Sequence, residues 1–151
     1  MAVVNHETFD FVLGNELKRA VRSQNFVTLL MIQLHVIQPR SGDSSSAAEE
    51  IARLVNPELR ETDLLATEDE TILVVLLDAD LQNSARVIER VMSRLEHYQF
   101  TTPLDIDLGA ACCPTHGADA GTLKRAAATT LTRLPRRPSQ GTACDSVKRH
   151  T

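Results

Sequence analysis

The sequence predicts an α/β (α+β) sandwich with a ferredoxin-like βαββαβ core, in which helices flank a mixed central sheet. Two observations carry this prediction: helical stripes alternate along the chain with short apolar strands, and two of the strands follow each other directly as a hairpin. Right-handed crossover connections then place the strands in one sheet. The 151 residues suit one domain, predicted over residues 1–134, with a flexible tail over 135–151.

The first helix and the first strand are predicted from their apolar periodicity. Residues 8–22 place five apolar side chains on one helical stripe: Phe9, Leu13, Leu17, Ala20 and Val21. Residues 26–37 read as a buried strand with two distinct faces. One face carries Leu30, Ile32, Leu34 and Val36, and the other carries Met31, Gln33 and His35.

A loop and a second helix are predicted next. Residues 38–46 are rich in Pro, Gly, Asp and Ser, which favours a turn-rich loop. A helix is predicted over 47–59, with Ser45 or Ser46 as its N-cap. Pro57 falls late in that run and is expected to bend or end the helix.

The rest of the core follows the same alternation. A hairpin is predicted over about 63–78, with a second strand, ILVVLL, that is apolar on both faces and therefore central. A helix is predicted over 83–97, a strand over 103–113 and a last helix over 120–134. The outer face of the helix over 83–97 carries charged residues: Arg86, Glu89, Arg90 and Arg94.

Composition excludes several classes of function. The net charge of −4 and the lack of a basic stripe argue against a nucleic-acid groove. No run of roughly 18 apolar residues is present, and the N-terminus lacks the pattern of a signal peptide, so a cytoplasmic location is expected. Three cysteines without metal-ligand spacing fit reduced thiols that fill apolar space.

The segment Arg60–Leu77, RETDLLATEDETILVVLL, is the most informative stretch of the chain. It holds an Arg-x-x-Asp pair, a short strand, an acidic turn and an unbroken apolar strand. This order resembles the hairpin of a GGDEF (diguanylate cyclase) domain, whose tip carries the signature Gly-Gly-Asp/Glu-Glu-Phe. An ungapped match from Arg60 sets Asp69, Glu70, Thr71, Ile72 and Leu73 at that signature.

Two further segments carry the resemblance, which covers roughly residues 8–134 and implies a nucleotide-cyclase-like fold. LDIDLGAACCPTHGAD (104–119) looks like the family's strand ending Ser-Ile-Gly-x-Ala-x-x-Pro-x-x-Gly, with matches at Gly109, Ala111, Pro114 and Gly117. LLMIQLHVIQ (29–38) is similar to the family's strand ending Asp-x-Asp-x-Phe-Lys.

The resemblance also implies that the catalytic residues are missing. The first metal-binding Asp of the family falls at Gln33 and the signature acid that binds metal falls at Thr71. The two signature glycines fall at Asp69 and Glu70. Other departures from the family pattern fall at His35, Ile37, Gln38, Ala127 and Leu134. Because Mg²⁺ prefers carboxylate oxygen, and because Asp69 and Glu70 repel a triphosphate, we expect a pseudo-enzyme with no cofactor and no bound metal.

The Arg-x-x-Asp pair is retained at the position of the family's inhibitory site for cyclic di-GMP. Arg60 would donate two hydrogen bonds to the O6/N7 edge of guanine, and Asp63 would accept from N1–H and N2–H. The resemblance places a further Arg of this site at Arg90, with Arg86 one helical turn earlier. The predicted function is therefore a signalling receptor or regulatory module that binds cyclic di-GMP at Arg60, Asp63, Arg90 and Arg86.

Other interpretations of these residues are open. Arg60 and Asp63 could form a simple exposed ion pair worth under about 1 kcal/mol. The domain could be an interaction or dimerisation module indifferent to nucleotide, with a protein partner or a second copy as its target. A residual nucleotide-binding enzyme with altered chemistry ranks last among these functions. A metal site built from His35 and the acidic turn is also conceivable, but the acidic residues are better explained as a solvated turn.

Overall fold

The computed structural model of the protein describes residues 2–37 and 43–135. Along the chain these residues form β1 (Ala2–Val4), α1 (His6–Ser23), β2 (Val27–Val36), α2 (Asp43–Val55), a 3₁₀ turn (Asn56–Glu58), β3 (Leu64–Glu68), β4 (Thr71–Leu77), α3 (Leu81–His97), β5 (Leu104–Cys113), α4 (Ala120–Thr129) and β6 (Thr132–Arg133). Within the described part of the chain, no helix combines the length and the apolar character that crossing a bilayer requires.

The strands form one six-stranded sheet in the order β1-β3-β4-β2-β5-β6. Only the edge pair β1–β3 is parallel, and the other four pairs are antiparallel. The unit β2-α2-β3-β4-α3-β5 is the predicted ferredoxin-like βαββαβ core, so the predicted fold class is confirmed.

Helices cover both faces of the sheet, and each face has its own hydrophobic cluster. On the face of α2 and α3 the cluster includes Leu30, Ile32, Leu34, Ile51 and Leu95. On the face of α1 and α4 it includes Phe9, Leu13, Leu17, Leu29 and Leu123. The alternation predicted for β2 is confirmed, because neighbouring residues of this strand divide between the two clusters.

Three helices begin at a residue whose side chain accepts a hydrogen bond from the first turn. Asn5 accepts from the backbone N–H of Thr8 at 2.8 Å, and Asp80 accepts from Asn83 at 2.7 Å. Asp119 accepts from Thr122 at 2.9 Å. Each cap satisfies a backbone donor that the helix leaves unpaired, a contribution of about 1 kcal/mol.

The predicted start of α2 is wrong. The helix begins at Asp43, so Ser45 and Ser46 lie inside it and neither is its N-cap. The apolar stripe begins only with the buried Ala47 and Ala48, which is why the pattern marks a later start. The regular helix ends at Val55, directly before the 3₁₀ turn that contains Pro57, as predicted. The part of the predicted loop at 38–42 lies outside the described residues.

The predicted extent of the last helix is also wrong. α4 ends at Thr129 rather than at residue 134, and Thr132–Arg133 pairs with β5 as an edge strand. The Thr130 hydroxyl accepts from the backbone N–H of Ala110 at 3.0 Å and donates to the carbonyl of Ala127 at 2.8 Å. These hydrogen bonds direct the chain from the end of α4 to the edge of the sheet, where β6 pairs with β5. The predicted tail lies outside the described residues from 136 onward.

Candidate functional site

The acidic turn Asp69–Glu70 joins β3 to β4 and forms the tip of the hairpin. The hairpin predicted over about 63–78 is confirmed, and Glu68 and Thr71 are its last paired residues. Asp69 has a φ of 54°, in the left-handed region that glycine occupies without steric cost. The turn therefore keeps a glycine-like backbone at the position that the resemblance assigns to the first signature glycine.

The two positions assigned to metal-binding carboxylates lie side by side. Gln33 on β2 is in register with Thr71 on β4, and directly opposite residues carry Cβ atoms about 4.5–5.5 Å apart. An amide and a hydroxyl thus lie side by side at the two positions to which the resemblance assigns carboxylates. Across the described segments, no group of three or more His, Cys, Asp or Glu side chains could hold a metal ion.

His35, another position at which the sequence departs from the family pattern, contacts β5. Its Nε2 lies 3.1 Å from Oδ2 of Asp107. Arg133 Nε donates to Oδ1 of the same carboxylate at 2.6 Å, and Arg133 Nη1 donates to Asp105 at 3.0 Å. The hydrogen bond from Arg133 holds the pKa of Asp107 below its usual value, and His35 adds to this effect against the opposing desolvation. The carboxylate in register with Gln33 on β5 is therefore already paired with a protein cation, Arg133.

The cleft beside the acidic turn is open and negatively charged. Its volume is about 500 Å³, and Met31 and Leu73 contribute apolar surface to it. Glu68, Asp69 and Glu70 line the same cleft, and its lysine, Lys124, is already ion-paired with Asp10. Charge of this sign repels a nucleoside triphosphate.

The Arg-x-x-Asp pair contacts the backbone at the end of β4. Asp63 is only 1% exposed and accepts hydrogen bonds from the backbone N–H of Arg60 at 2.9 Å and of Leu77 at 3.3 Å. The Arg60 guanidinium donates to the carbonyl of Leu77 and lies 3.6 Å from Asp63 Oδ1. The reading of this pair as a simple exposed ion pair is wrong, because one partner is buried and both hold backbone groups.

The position of Leu77 explains why these contacts form. The last β3–β4 pair is Leu64 with Val75, so β4 continues beyond the end of its neighbour. Backbone groups without a strand partner need another one when they are removed from water. Arg60 and Asp63 supply partners for both polar groups of Leu77, which gives the pair a structural role that the sequence alone did not reveal.

A pocket of about 240 Å³ lies between this corner and the first turns of α3. Its polar lining includes Arg60, Asp63, Asp78 and Asn83, and its apolar lining includes Leu76 and Val87. Asp78 and Asn83 were not among the predicted site residues. The sequence contains a signal for Asp78, because this residue directly follows the apolar strand β4. Polar side chains at the end of a strand can face a ligand.

The four predicted ligand-binding residues do not all meet at this pocket. Neither Arg86 nor Arg90 lines it. Arg90 Nε donates to Glu58 at 2.7 Å, and Arg94 donates to the same carboxylate at 3.4 Å. The partner of Arg90 therefore comes from the 3₁₀ turn rather than from its own helix. Arg86 is exposed on α3.

Comparisons with known proteins agree with this geometry. A family model described as "Diguanylate cyclase, GGDEF domain" matches residues 2–140. Among curated protein sequences, none matches this chain.

Solved GGDEF domains share the fold. The GGDEF domain of YfiN (TpbB) from Pseudomonas aeruginosa is 19% identical, with a TM-score of 0.72 over 91% of this chain and 96% of that chain. The active GGEEF domain of a diguanylate cyclase from Vibrio cholerae is 12% identical, with a TM-score of 0.71 over 88% and 97%. The diguanylate cyclase SiaD of Pseudomonas aeruginosa, solved with its activator SiaC, is 19% identical, with a TM-score of 0.62 over 83% and 54%.

The family model extends over nearly the whole described fold, and the hairpin, its turn and the register of Gln33 with Thr71 lie where the resemblance assigns them. This chain belongs to the GGDEF family.

Proposed function

We propose that this GGDEF domain does not synthesise cyclic di-GMP and acts as a regulatory pseudo-enzyme. The pairing of Gln33 with Thr71 carries the proposal, because both positions aligned with metal-binding carboxylates hold neutral side chains. Cyclisation of GTP requires a divalent cation that bridges the phosphates and activates the 3′-hydroxyl. The acidic turn adds repulsion against the triphosphate that such a cation would otherwise offset.

Incubation with GTP tests the loss of catalysis. Purified protein with GTP and Mg²⁺ or Mn²⁺ should yield no cyclic di-GMP above a protein-free control when the products are separated by chromatography. An active diguanylate cyclase, assayed in parallel, shows that the conditions support the reaction. Steady accumulation of cyclic di-GMP in proportion to the amount of this protein would overturn the proposal.

Cyclic di-GMP is the ligand that the retained Arg-x-x-Asp corner suits. The Arg60 side chain is 58% exposed at a pocket, and a planar guanidinium matches the two acceptors on the Hoogsteen edge of guanine. Arg90 can join the ligand only if it leaves Glu58. The Glu58 side chain is only 14% exposed, but Arg94 remains its partner when Arg90 leaves.

Calorimetric titration tests the ligand. Wild type should bind cyclic di-GMP, and Arg60→Ala should weaken binding by about 5- to 150-fold, since a bidentate Arg–guanine contact is worth about 1–3 kcal/mol. Arg19→Ala is the matched control, because Arg19 pairs with Glu16 on α1, on the opposite face of the sheet. Equal binding by wild type and Arg60→Ala would remove the receptor function from this corner.

A nucleotide-independent interaction module is the second candidate. It is favoured by the engagement of both Asp63 oxygens and of Arg90 within the protein, which leaves fewer groups for a ligand. An exposed apolar side chain, Phe11 of α1 at 71%, would suit a protein partner or a second copy of the chain. The complex of SiaD with SiaC shows that a family member can engage a protein activator. Absence of binding heat with wild type at high micromolar cyclic di-GMP would favour this candidate.

A further inference from the structure

We propose that Asp78, rather than Asp63, supplies the carboxylate that accepts hydrogen bonds from the base held by Arg60, with a guanine as that base. The inference rests on the proposed binding of cyclic di-GMP and assigns the acceptor within the same pocket. Arg60 and Asp78 then form the two sides of a guanine-binding fork, and Asp63 is the residue that positions Arg60.

Asp63 is poorly placed to serve the ligand. Its two oxygens accept from the backbone N–H groups of Arg60 and Leu77, and its side chain is almost fully buried. A ligand that took over those oxygens would leave two backbone donors without partners, at the cost of their desolvation. The two oxygens keep further lone pairs, but a side chain that is 1% exposed gives a ligand little access to them.

Asp78 has the opposite properties. It is exposed, lines the same pocket as Arg60, and forms no hydrogen bond or ion pair with another described residue. It follows Leu77, whose carbonyl accepts from the Arg60 guanidinium, so the cation contacts the backbone directly before Asp78. Its φ of 56° is a left-handed conformation, uncommon outside glycine, and such outliers cluster at ligand sites.

The shape and chemistry of the pocket select a purine with adjacent donors. A volume of about 240 Å³ is below the roughly 300 Å³ at which pockets for drug-sized ligands begin, so it suits one base rather than a whole dinucleotide. Guanine offers O6 and N7 to an arginine and, on its Watson–Crick edge, two neighbouring N–H donors to a carboxylate. Adenine lacks that pair of donors, so the fork discriminates against cyclic di-AMP.

Titration of two variants with two ligands tests the assignment. Asp78→Asn should weaken cyclic di-GMP binding by about 5- to 150-fold, with an unchanged thermal midpoint, because asparagine tolerates the left-handed backbone. The inosine analogue of cyclic di-GMP lacks the exocyclic amine and should bind wild type more weakly. It should lose little further affinity in Asp78→Asn, because the missing donor and the missing acceptor belong to one contact. Asp78→Ala removes the acceptor for N1–H as well, so it should weaken binding of cyclic di-GMP more than Asp78→Asn does, and it should lower the thermal midpoint because alanine is strained at a positive φ.

The outcomes separate this assignment from the proposed function. Undiminished binding of cyclic di-GMP by both Asp78 variants, with wild type binding normally, overturns the role of Asp78 and leaves the receptor function intact. Absence of binding by wild type overturns the receptor function, and the assignment falls with it. A third outcome concerns the base edge alone. If the Asp78 variants bind cyclic di-GMP weakly but still prefer it over the inosine analogue as strongly as wild type does, Asp78 does not contact the exocyclic amine, and the assignment is overturned.

Discussion

Replacing Gly109 with alanine is expected to lower the free energy of unfolding by about 3 kcal/mol. A Cβ at this position of β5 would lie 2.4 Å from the carbonyl oxygen of Ala127 and 3.0 Å from the backbone nitrogen of Leu131. It would also lie 2.7 Å from Oγ1 of Thr130. Two of these atoms are backbone, so relief requires that the end of α4 move away from the sheet. Thermal unfolding followed by circular dichroism should show a midpoint lower by roughly 10 °C.

Gly14→Ala is the matched control for this prediction. Gly14 lies inside α1, and a Cβ there meets no atom within 4 Å. Since alanine favours helix over glycine by about 0.8–1.0 kcal/mol, this variant should unfold at a slightly higher temperature than wild type. A Gly109→Ala protein that unfolded within about 2 °C of wild type, a shift of under roughly 1 kcal/mol, would contradict the close approach of α4 to β5.

Replacing Asp63 with asparagine is expected to cost about 2–3 kcal/mol of stability. The buried carboxylate accepts from two backbone N–H groups, and an amide can accept on one side only. The amide nitrogen then faces a backbone donor that it cannot satisfy. Urea denaturation should show a lower midpoint with an unchanged slope, because the change affects the stability of the native state rather than the surface exposed on unfolding.

Asp78→Asn is the control, since it makes the same substitution at an exposed carboxylate of the same pocket. Its free energy of unfolding should remain within about 0.5 kcal/mol of wild type. If Asp63→Asn were as stable as wild type, Asp63 would not anchor the end of β4, and its carboxylate would be available to a ligand after all.

The core of the fold could be predicted because its signals are local. Each apolar stripe or alternation lies within one element, so α1, β2, the β3–β4 hairpin and α3 were found close to their observed positions. Features that depend on distant contacts were missed. β1 has only three residues, too few to show a period, and it exists through its pairing with β3. The end of α4 is decided by the bonds of Thr130 and by the pairing of Arg133 with Asp107.

The candidate site also combines features that the sequence could predict with features that depend on distant contacts. The resemblance assigned Gln33 and Thr71 to positions of metal-binding carboxylates, and the strand register places the two residues side by side. The partner of Arg90 could not be anticipated, because Glu58 lies 32 residues away and reaches it only through the packing of α2 and the 3₁₀ turn against α3. The burial of Asp63 was equally hidden, since it arises from the overhang of β4 beyond β3.

The polar row across the sheet lies outside both hydrophobic clusters. Glu68, Thr71, Gln33, Asp107 and Arg133 are successive neighbours on five strands, and none contributes a side chain to either cluster. Substitutions on this row therefore change chemistry while leaving most of the folding energy untouched. Residues of this row could therefore be replaced one at a time during evolution while each intermediate protein still folds. A catalytic site could be lost in this way, and the scaffold could be kept for signalling.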